Sequence, residues 1–196
     1  MRMDRRSVLT LLAGGLAMPD LVMPAAAGSP GMSRTAFVFA FVGLGGEPIR
    51  LVDHAGKPIL VVNTASLCGY TPQYAGLQQL WKRFRERGLM VIGVPSNDFG
   101  GQEPGGAAEI MRTAQHDYGV TFPLAQKVAV KGANAHPFYQ WAALERPTET
   151  PQWNFHKYLI GRNGHIAAAF PSAVEPTDAR VVTAIERQFV DVARNP

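Results

Sequence analysis

Ile59-Leu60-Val61-Val62-Asn63-Thr64-Ala65-Ser66-Leu67-Cys68-Gly69-Tyr70-Thr71-Pro72 begins with four consecutive apolar residues. An uninterrupted, β-branched run of this kind reads as a strand buried on both faces. A helix follows. Thr71 is placed to cap it, Pro72 suits its first position, and Gly88 suits its end. Leu77, Leu80, Trp81 and Phe84 recur at i, i+3, i+4 and i+7, which makes one apolar face. Arg83, Arg85 and Arg87 fall in the last turn, where the helix dipole favours cations. Leu89 to Val94 is a second buried strand. Strand, helix and strand with short links predict a βαβ unit with parallel strands.

Outward from this unit, Phe37 to Val52 alternates loosely around Gly45-Gly46 and reads as a hairpin. Ala107 to Tyr118 reads as a second helix with Ile110, Met111, Ala114 and Tyr118 inward. Phe155 to Ile160 and Ile166 to Phe170 read as strands joined at Asn163-Gly164, a strong hairpin signal. Thr177 to Ala193 reads as a closing helix with Val181, Val182, Ile185, Phe189 and Val192 on one side. A βαβ half followed by a ββα half predicts a single layered α/β domain.

The chain of 196 residues has 46% hydrophobic and 17% charged residues, which excludes wholesale disorder. Its net charge is +4, yet no Lys/Arg run is interleaved with aromatics, so nucleic acid is not an expected partner. The beginning has its own texture. Arg5-Arg6 precede a small, mildly apolar stretch from Val8 to Ala17, and Pro24-Ala25-Ala26-Ala27 offers an A-x-A cut. This layout predicts a signal peptide over residues 1–27, of twin-arginine type, with export to the periplasm. A linker is expected over 28–36 and the folded domain over 37–196. Val8 to Met23 contains Gly14, Gly15, Pro19 and Asp20 and is too short to span a bilayer, so no stable membrane insertion is expected.

One cysteine excludes an intrachain disulfide, a CxxC pair and cysteine-rich zinc modules. Cys68 is therefore an inert buried thiol, an intermolecular link or a reactive group. Its place argues for the last. Ligands of α/β sheets gather at the carboxyl ends of parallel strands. Two loops leave that edge, Ser66 to Tyr70 and Ser96 to Gly105. Cys68 also precedes a helix N-terminus, where a thiol pKa drops from about 8.5 to as low as about 3.5–7.5 and the nucleophilic thiolate forms. A thiolate of this kind needs hydrogen-bond donors that are not themselves redox-active. Gln102 on the facing loop reads equally as such an amide or as a turn residue beside Gly100 and Gly101. Trp153-Asn154 reads as core packing and a turn, or as an indole and an amide donor at a strand entrance. Trp81 and Trp141 read as packing. Asn97 and Asp98 read as turn formers and caps. His54, His116, His136, His156 and His165 show no metal-ligand spacing and read as surface or capping residues, so neither metal nor cofactor is expected. A Cys–His protease stays open, since its histidine need only be close in space.

These segments together resemble the glutathione peroxidase family. Val61 to Tyr74 is similar to its peroxidatic motif, and Pro95-Ser96-Asn97-Asp98-Phe99-Gly100-Gly101-Gln102-Glu103-Pro104-Gly105 to its second signature. Tyr118 to Leu124, Asn134 to Pro137 and Trp153-Asn154-Phe155 resemble three further blocks in the same order. The resemblance implies a thioredoxin-like central mixed sheet flanked by helices. It implies a catalytic tetrad of Cys68, Gln102, Trp153 and Asn154, and a strand after Trp153 running antiparallel to its neighbour. It also implies that Cys68 attacks a hydroperoxide and becomes a sulfenic acid while the other three donate hydrogen bonds to the sulfur and the departing oxygen. Donors preorganised in this way are worth roughly 2.7–4 kcal/mol each.

Three departures shape the expectation. Cys68 stands where some relatives carry selenocysteine, which implies slower attack. The second, resolving cysteine of many relatives is absent, so glutathione or another external thiol must return Cys68 to its reduced state. The segment Gln140 to Gln152 is short compared with tetrameric forms, which implies a monomer with an open site. Two other readings compete: a redox sensor or binding protein forming a mixed disulfide through Cys68, and a peroxiredoxin-like thiol-disulfide protein.

Overall fold

The computed structural model describes residues 34–189. The leader expected over 1–27 lies outside the described residues, as does most of the expected linker. The linker's last three residues belong to the folded unit. Ala36 is fully buried, and the Trp141 indole donates to the carbonyl of Arg34 at 2.6 Å.

A short antiparallel pair, β1 (Ala40–Val42) and β2 (Pro48–Arg50), realises the expected hairpin. The main sheet has four strands, β3 (Ile59–Thr64), β4 (Met90–Pro95), β5 (Lys157–Ile160) and β6 (Ile166–Phe170), in the order β4-β3-β5-β6. β3 pairs parallel with β4 and antiparallel with β5. Helix α1 (Gln73–Phe84) makes the βαβ crossover, and a 3-10 turn, Arg85–Arg87, extends it. Gly88 then closes it at φ +101°, a left-handed conformation that glycine adopts without steric cost. The remaining helices are α2 (Ala107–Met111), α3 (Pro137–Glu145) and α4 (Ala179–Arg187).

The sheet separates two cores, and β3 shows how. All six of its residues are buried, but they alternate in direction as the pleat requires. Leu60 and Val62 pack with Leu77, Leu80 and Phe84 of α1 and with Val181 and Ile185 of α4. Ile59 and Val61 pack with Phe138 and Trp141 of α3 and with Phe41 and Ile49 of the hairpin. The result is a three-layer α/β/α domain.

Expectations at three elements need correction. The second helix is α-helical only to Met111 and continues as a π-helix over Arg112–Asp117. Ile110 and Ala114 point inward as expected, but Met111 is exposed, because a face holding both of them turns Met111 outward. The terminal helix starts at Ala179, where the Asp178 carboxylate accepts from Arg180 N at 2.8 Å, instead of at Thr177. β5 begins at Lys157, not Phe155, because Phe155 adopts φ +65° and interrupts the extended chain.

Candidate active site

The carboxyl ends of β3 and β4 carry the two loops singled out by the sequence. Cys68 is 6% exposed and lies in the turns between β3 and α1. The helix begins five residues after it, farther away than the sequence reading placed it. A run of tight turns fills the gap, with Thr71 N donating to Cys68 O and Gln73 N to Tyr70 O, both at 2.9 Å. The helix dipole fades within a turn of the helix end. The contact that reaches the sulfur is local: Tyr70 N–H donates to Cys68 Sγ at 3.4 Å.

Thr71 does not cap α1. Its hydroxyl accepts from Cys68 N at 3.0 Å and donates to Ala65 O at 2.9 Å, so it braces the cysteine turn across its own neck. The second loop is bound to the first through its backbone, with Leu67 N donating to Gln102 O at 3.0 Å. The loop's own polar residues shape it. Asn97 Oδ1 accepts from Glu103 N at 2.8 Å, and Asp98 Oδ2 accepts from Val130 N at 2.6 Å and Lys131 N at 3.2 Å. Both residues are turn formers as expected, and Asp98 also ties the loop to a distant segment. Gly100 adopts φ +65°, a left-handed conformation that favours glycine, and lies beside Gln102 and Trp153: a Cβ there would meet Gln102 Cγ and the Trp153 ring at 3.5 Å, an ordinary van der Waals contact.

The third contribution comes from residues 153–155. Asn154 is fully buried, and its Nδ2 donates to Gln102 Oε1 at 2.9 Å and Phe99 O at 3.4 Å. Its amide hydrogens are thus spent on the glutamine and its loop. With Gln102 Oε1 engaged, the Gln102 Nε2 group is the end left to donate elsewhere. Trp153 is 40% exposed and stacks at a tilt 5.9 Å from the Phe99 ring, so it is not an ordinary core residue. It forms a wall common to two cavities. One, of about 620 Å³, also touches Tyr70, His156 and Pro171. The other, of about 430 Å³, also touches Asp98, Phe99 and Lys131.

The structure therefore joins Gln102, Asn154 and Trp153 into one unit and ties it to the Cys68 turn through Leu67. Three residues that the sequence reading passed over hold this arrangement. Asn63, buried in β3, donates from Nδ2 to Trp153 O at 3.0 Å and accepts at its own carbonyl from Phe155 N at 2.6 Å. Glu103, also fully buried, accepts from the Ser66 hydroxyl at 3.1 Å. Burial pushes its carboxyl above the usual range, against the opposing effect of Ser66. Lys157 is fully buried within β5. The visible signal for Asn63 and Lys157 was a polar residue inside an otherwise apolar strand run. Of the histidines, His136 caps α3 by accepting from Phe138 N at 3.2 Å, as expected. His156 departs from expectation: it is 5% exposed, and burial with the nearby Lys157 holds its pKa down to about 4. Among the described residues no group of His, Cys, Asp and Glu is arranged to hold a metal ion, and no helix is long and apolar enough to cross a membrane.

Comparison with known proteins shows the family. The family profile described as glutathione peroxidase matches residues 36–143. A hydroperoxy fatty acid reductase of Synechocystis is 44% identical over 74% of this chain and 92% of its own length. A glutathione peroxidase-like peroxiredoxin of Schizosaccharomyces pombe is 42% identical over 67% of this chain and 85% of its own. A crystal structure of Trgpx in apo form aligns with TM-score 0.63 at 33% identity, covering 79% of this chain and 97% of that one. A thioredoxin-family thiol:disulfide interchange protein of Chlorobium tepidum aligns with TM-score 0.61 at 15% identity, over 82% of this chain and 99% of that one, and speaks for the fold alone. With a thioredoxin-like sheet, a single loop cysteine and relatives of this kind over most of its length, the chain belongs to the glutathione peroxidase family and is a thiol-dependent peroxidase.

Proposed function

We propose that Cys68 is the peroxidatic residue of an exported, single-cysteine enzyme that reduces hydrogen peroxide and organic hydroperoxides at the expense of an external thiol. In the first step the Cys68 thiolate attacks one peroxide oxygen. The S–O bond forms, the O–O bond breaks, and the departing oxygen takes a proton to leave as water or alcohol, giving the sulfenic acid. Gln102 Nε2 and the Trp153 indole are the donors available to the sulfur and the departing oxygen. Asn154 acts through Gln102, fixing which end of that amide faces outward. In the second step a thiol condenses with the sulfenic acid, releasing water and leaving a mixed disulfide. A second thiol then displaces Cys68 and carries both sulfurs away as a disulfide. No second cysteine exists in the chain to do this internally.

The observation that carries the reading is the link between Gln102 and both other parts of the site, through Leu67 N on its carbonyl and Asn154 Nδ2 on its side chain. Purified protein with hydrogen peroxide and excess glutathione is expected to consume peroxide over many turnovers, and a parallel assay with thioredoxin ranks the reductants. Consumption that stops at about one equivalent per chain identifies a sensor that forms a mixed disulfide. The Synechocystis relative's name points to hydroperoxides of fatty acids, so a fatty acid hydroperoxide belongs in the substrate panel. Export is proposed from Arg5-Arg6, the apolar stretch and the Ala25-Ala26-Ala27 cut. Replacing both arginines by lysine is expected to stop periplasmic accumulation; unchanged accumulation removes the twin-arginine route. A monomer is the assembly expected of so short a Gln140 to Gln152 segment, which sedimentation of the purified protein tests.

A further inference from the structure

Lys157 is the one lysine among the described residues that is fully buried. Its ammonium donates to Gln73 Oε1 and Phe155 O, each at 2.7 Å. Both acceptors are neutral, and Lys157 makes no ion pair among the described residues. A buried charge with no ion-pair partner in contact carries a large desolvation cost. The two acceptors are informative. Gln73 is the first residue of α1, the element that follows the Cys68 turn. Phe155 is the left-handed residue directly after Trp153 and Asn154. One ammonium therefore spans the strand-to-helix turn that carries the sulfur and the turn that carries the donors. Gln73 extends the link outward, with Nε2 donating to Ser172 O at 2.7 Å and to Glu175 Oε1 at 3.4 Å.

We propose that Lys157 is a positioning residue for peroxide reduction, its charged amine clamping the Trp153-Asn154-Phe155 turn to the start of α1 so that Gln102 and Trp153 stay aligned with Cys68. The clamp is charge-assisted, and hydrogen bonds from an ionised donor are about twice as strong as neutral ones. Two titratable groups act on it: Glu175, from the β6–α4 connection, favours the charged form, and His156, beside it in the chain, interacts unfavourably with it. Burial dominates and brings the amine down to about 7. The clamp therefore loosens as pH rises through neutrality.

This inference rests on the peroxidase reading of Cys68, and one experiment separates the two. The second-order rate of Cys68 oxidation by hydrogen peroxide is measured from pH 6 to 9 by stopped flow on the full chain. Each value is divided by the thiolate fraction read from absorbance at 240 nm. For the wild type, the rate per thiolate is expected to fall several-fold with a midpoint near 7. Lys157→Met is expected to be at least tenfold slower at pH 6 and to show no such midpoint. Glu175→Gln removes the charge of an exposed residue at the outer end of the link and is expected to move the midpoint down by a few tenths of a pH unit. A Lys157→Met rate within twofold of wild type overturns the proposal, as does a rate per thiolate independent of pH in the wild type. Should Lys157→Met fail to fold, an unmoved midpoint in Glu175→Gln overturns it. A wild-type thiol that does not react with hydrogen peroxide overturns the peroxidase reading itself.

Discussion

The two antiparallel neighbours β3 and β5 lie side by side at the centre of the sheet, yet they serve the site by opposite means. β3 delivers the sulfur through local chain geometry. Its apolar residues fill both cores, and the turn it leads into is braced by Thr71, three residues from Cys68. β5 serves the donors through contacts between residues far apart in sequence. It buries Lys157, next to buried His156, and the turn before it is held by Asn63 from β3 and by Lys157 itself, which also reaches Gln73 of α1. The nucleophile is thus built from neighbours in sequence, and its hydrogen-bonding surroundings are built from buried polar groups that meet only in the folded chain. Polar networks of this type are rigid when satisfied and costly when broken.

Substitutions on each strand test this contrast, and the largest effect is expected at the sulfur. Cys68→Ser is expected to lower peroxide turnover by about 10³-fold or more, since a hydroxyl is a far weaker nucleophile, while the melting temperature stays close to wild type. Loss of the fold in that variant would mean that the cysteine turn is not self-braced. Gln102→Ala is expected to slow peroxide attack by roughly 10²–10³-fold, the loss found when one preorganised donor is removed. Unchanged stopped-flow kinetics would take Gln102 out of the site.

The polar burial around β5 gives a pH signature. His156 has its proton affinity depressed in the folded state, to about 4. The unfolded chain binds that proton first as pH falls, so stability declines between about 6.5 and 4 and levels off below. The full loss is about 3 kcal/mol, and His156→Phe is expected to flatten the decline in urea titrations across that range. An identical slope in the variant would assign the acid sensitivity elsewhere. Asn63→Ala leaves Trp153 O without its side-chain donor, while the backbone bond from Phe155 N to the carbonyl of residue 63 stays. An expected destabilisation of about 1–3 kcal/mol should be accompanied by slower peroxide attack. Destabilisation with normal kinetics would show that the turn keeps its shape without Asn63. The smallest effect belongs to the surface: Arg83 and Glu186 pair at 2.8 Å between α1 and α4 with both side chains exposed. Glu186→Gln is expected to change stability by less than about 1 kcal/mol.

The same contrast explains what the sequence disclosed. The βαβ unit, the β5–β6 hairpin at Asn163-Gly164 and the position of Cys68 rest on periodicity, turn chemistry and chain order, which are local properties. The assembly of Gln102, Trp153 and Asn154 was reached through resemblance, because each residue alone reads equally as a turn or packing residue. The distance from Cys68 to α1 was misjudged because Thr71-Pro72 has the signature of a helix start, while the Thr71 hydroxyl is engaged by Cys68 N and Ala65 O instead. Asn63, Glu103 and Lys157 went unassigned because a buried polar side chain takes its meaning from partners that sequence spacing does not reveal.

Trp153, together with Thr150 and Gln152, lines two recesses of the surface. Of Cys68, Gln102, Asn154 and Trp153, only the indole lines these recesses, so a substitution there reshapes two surface hollows together.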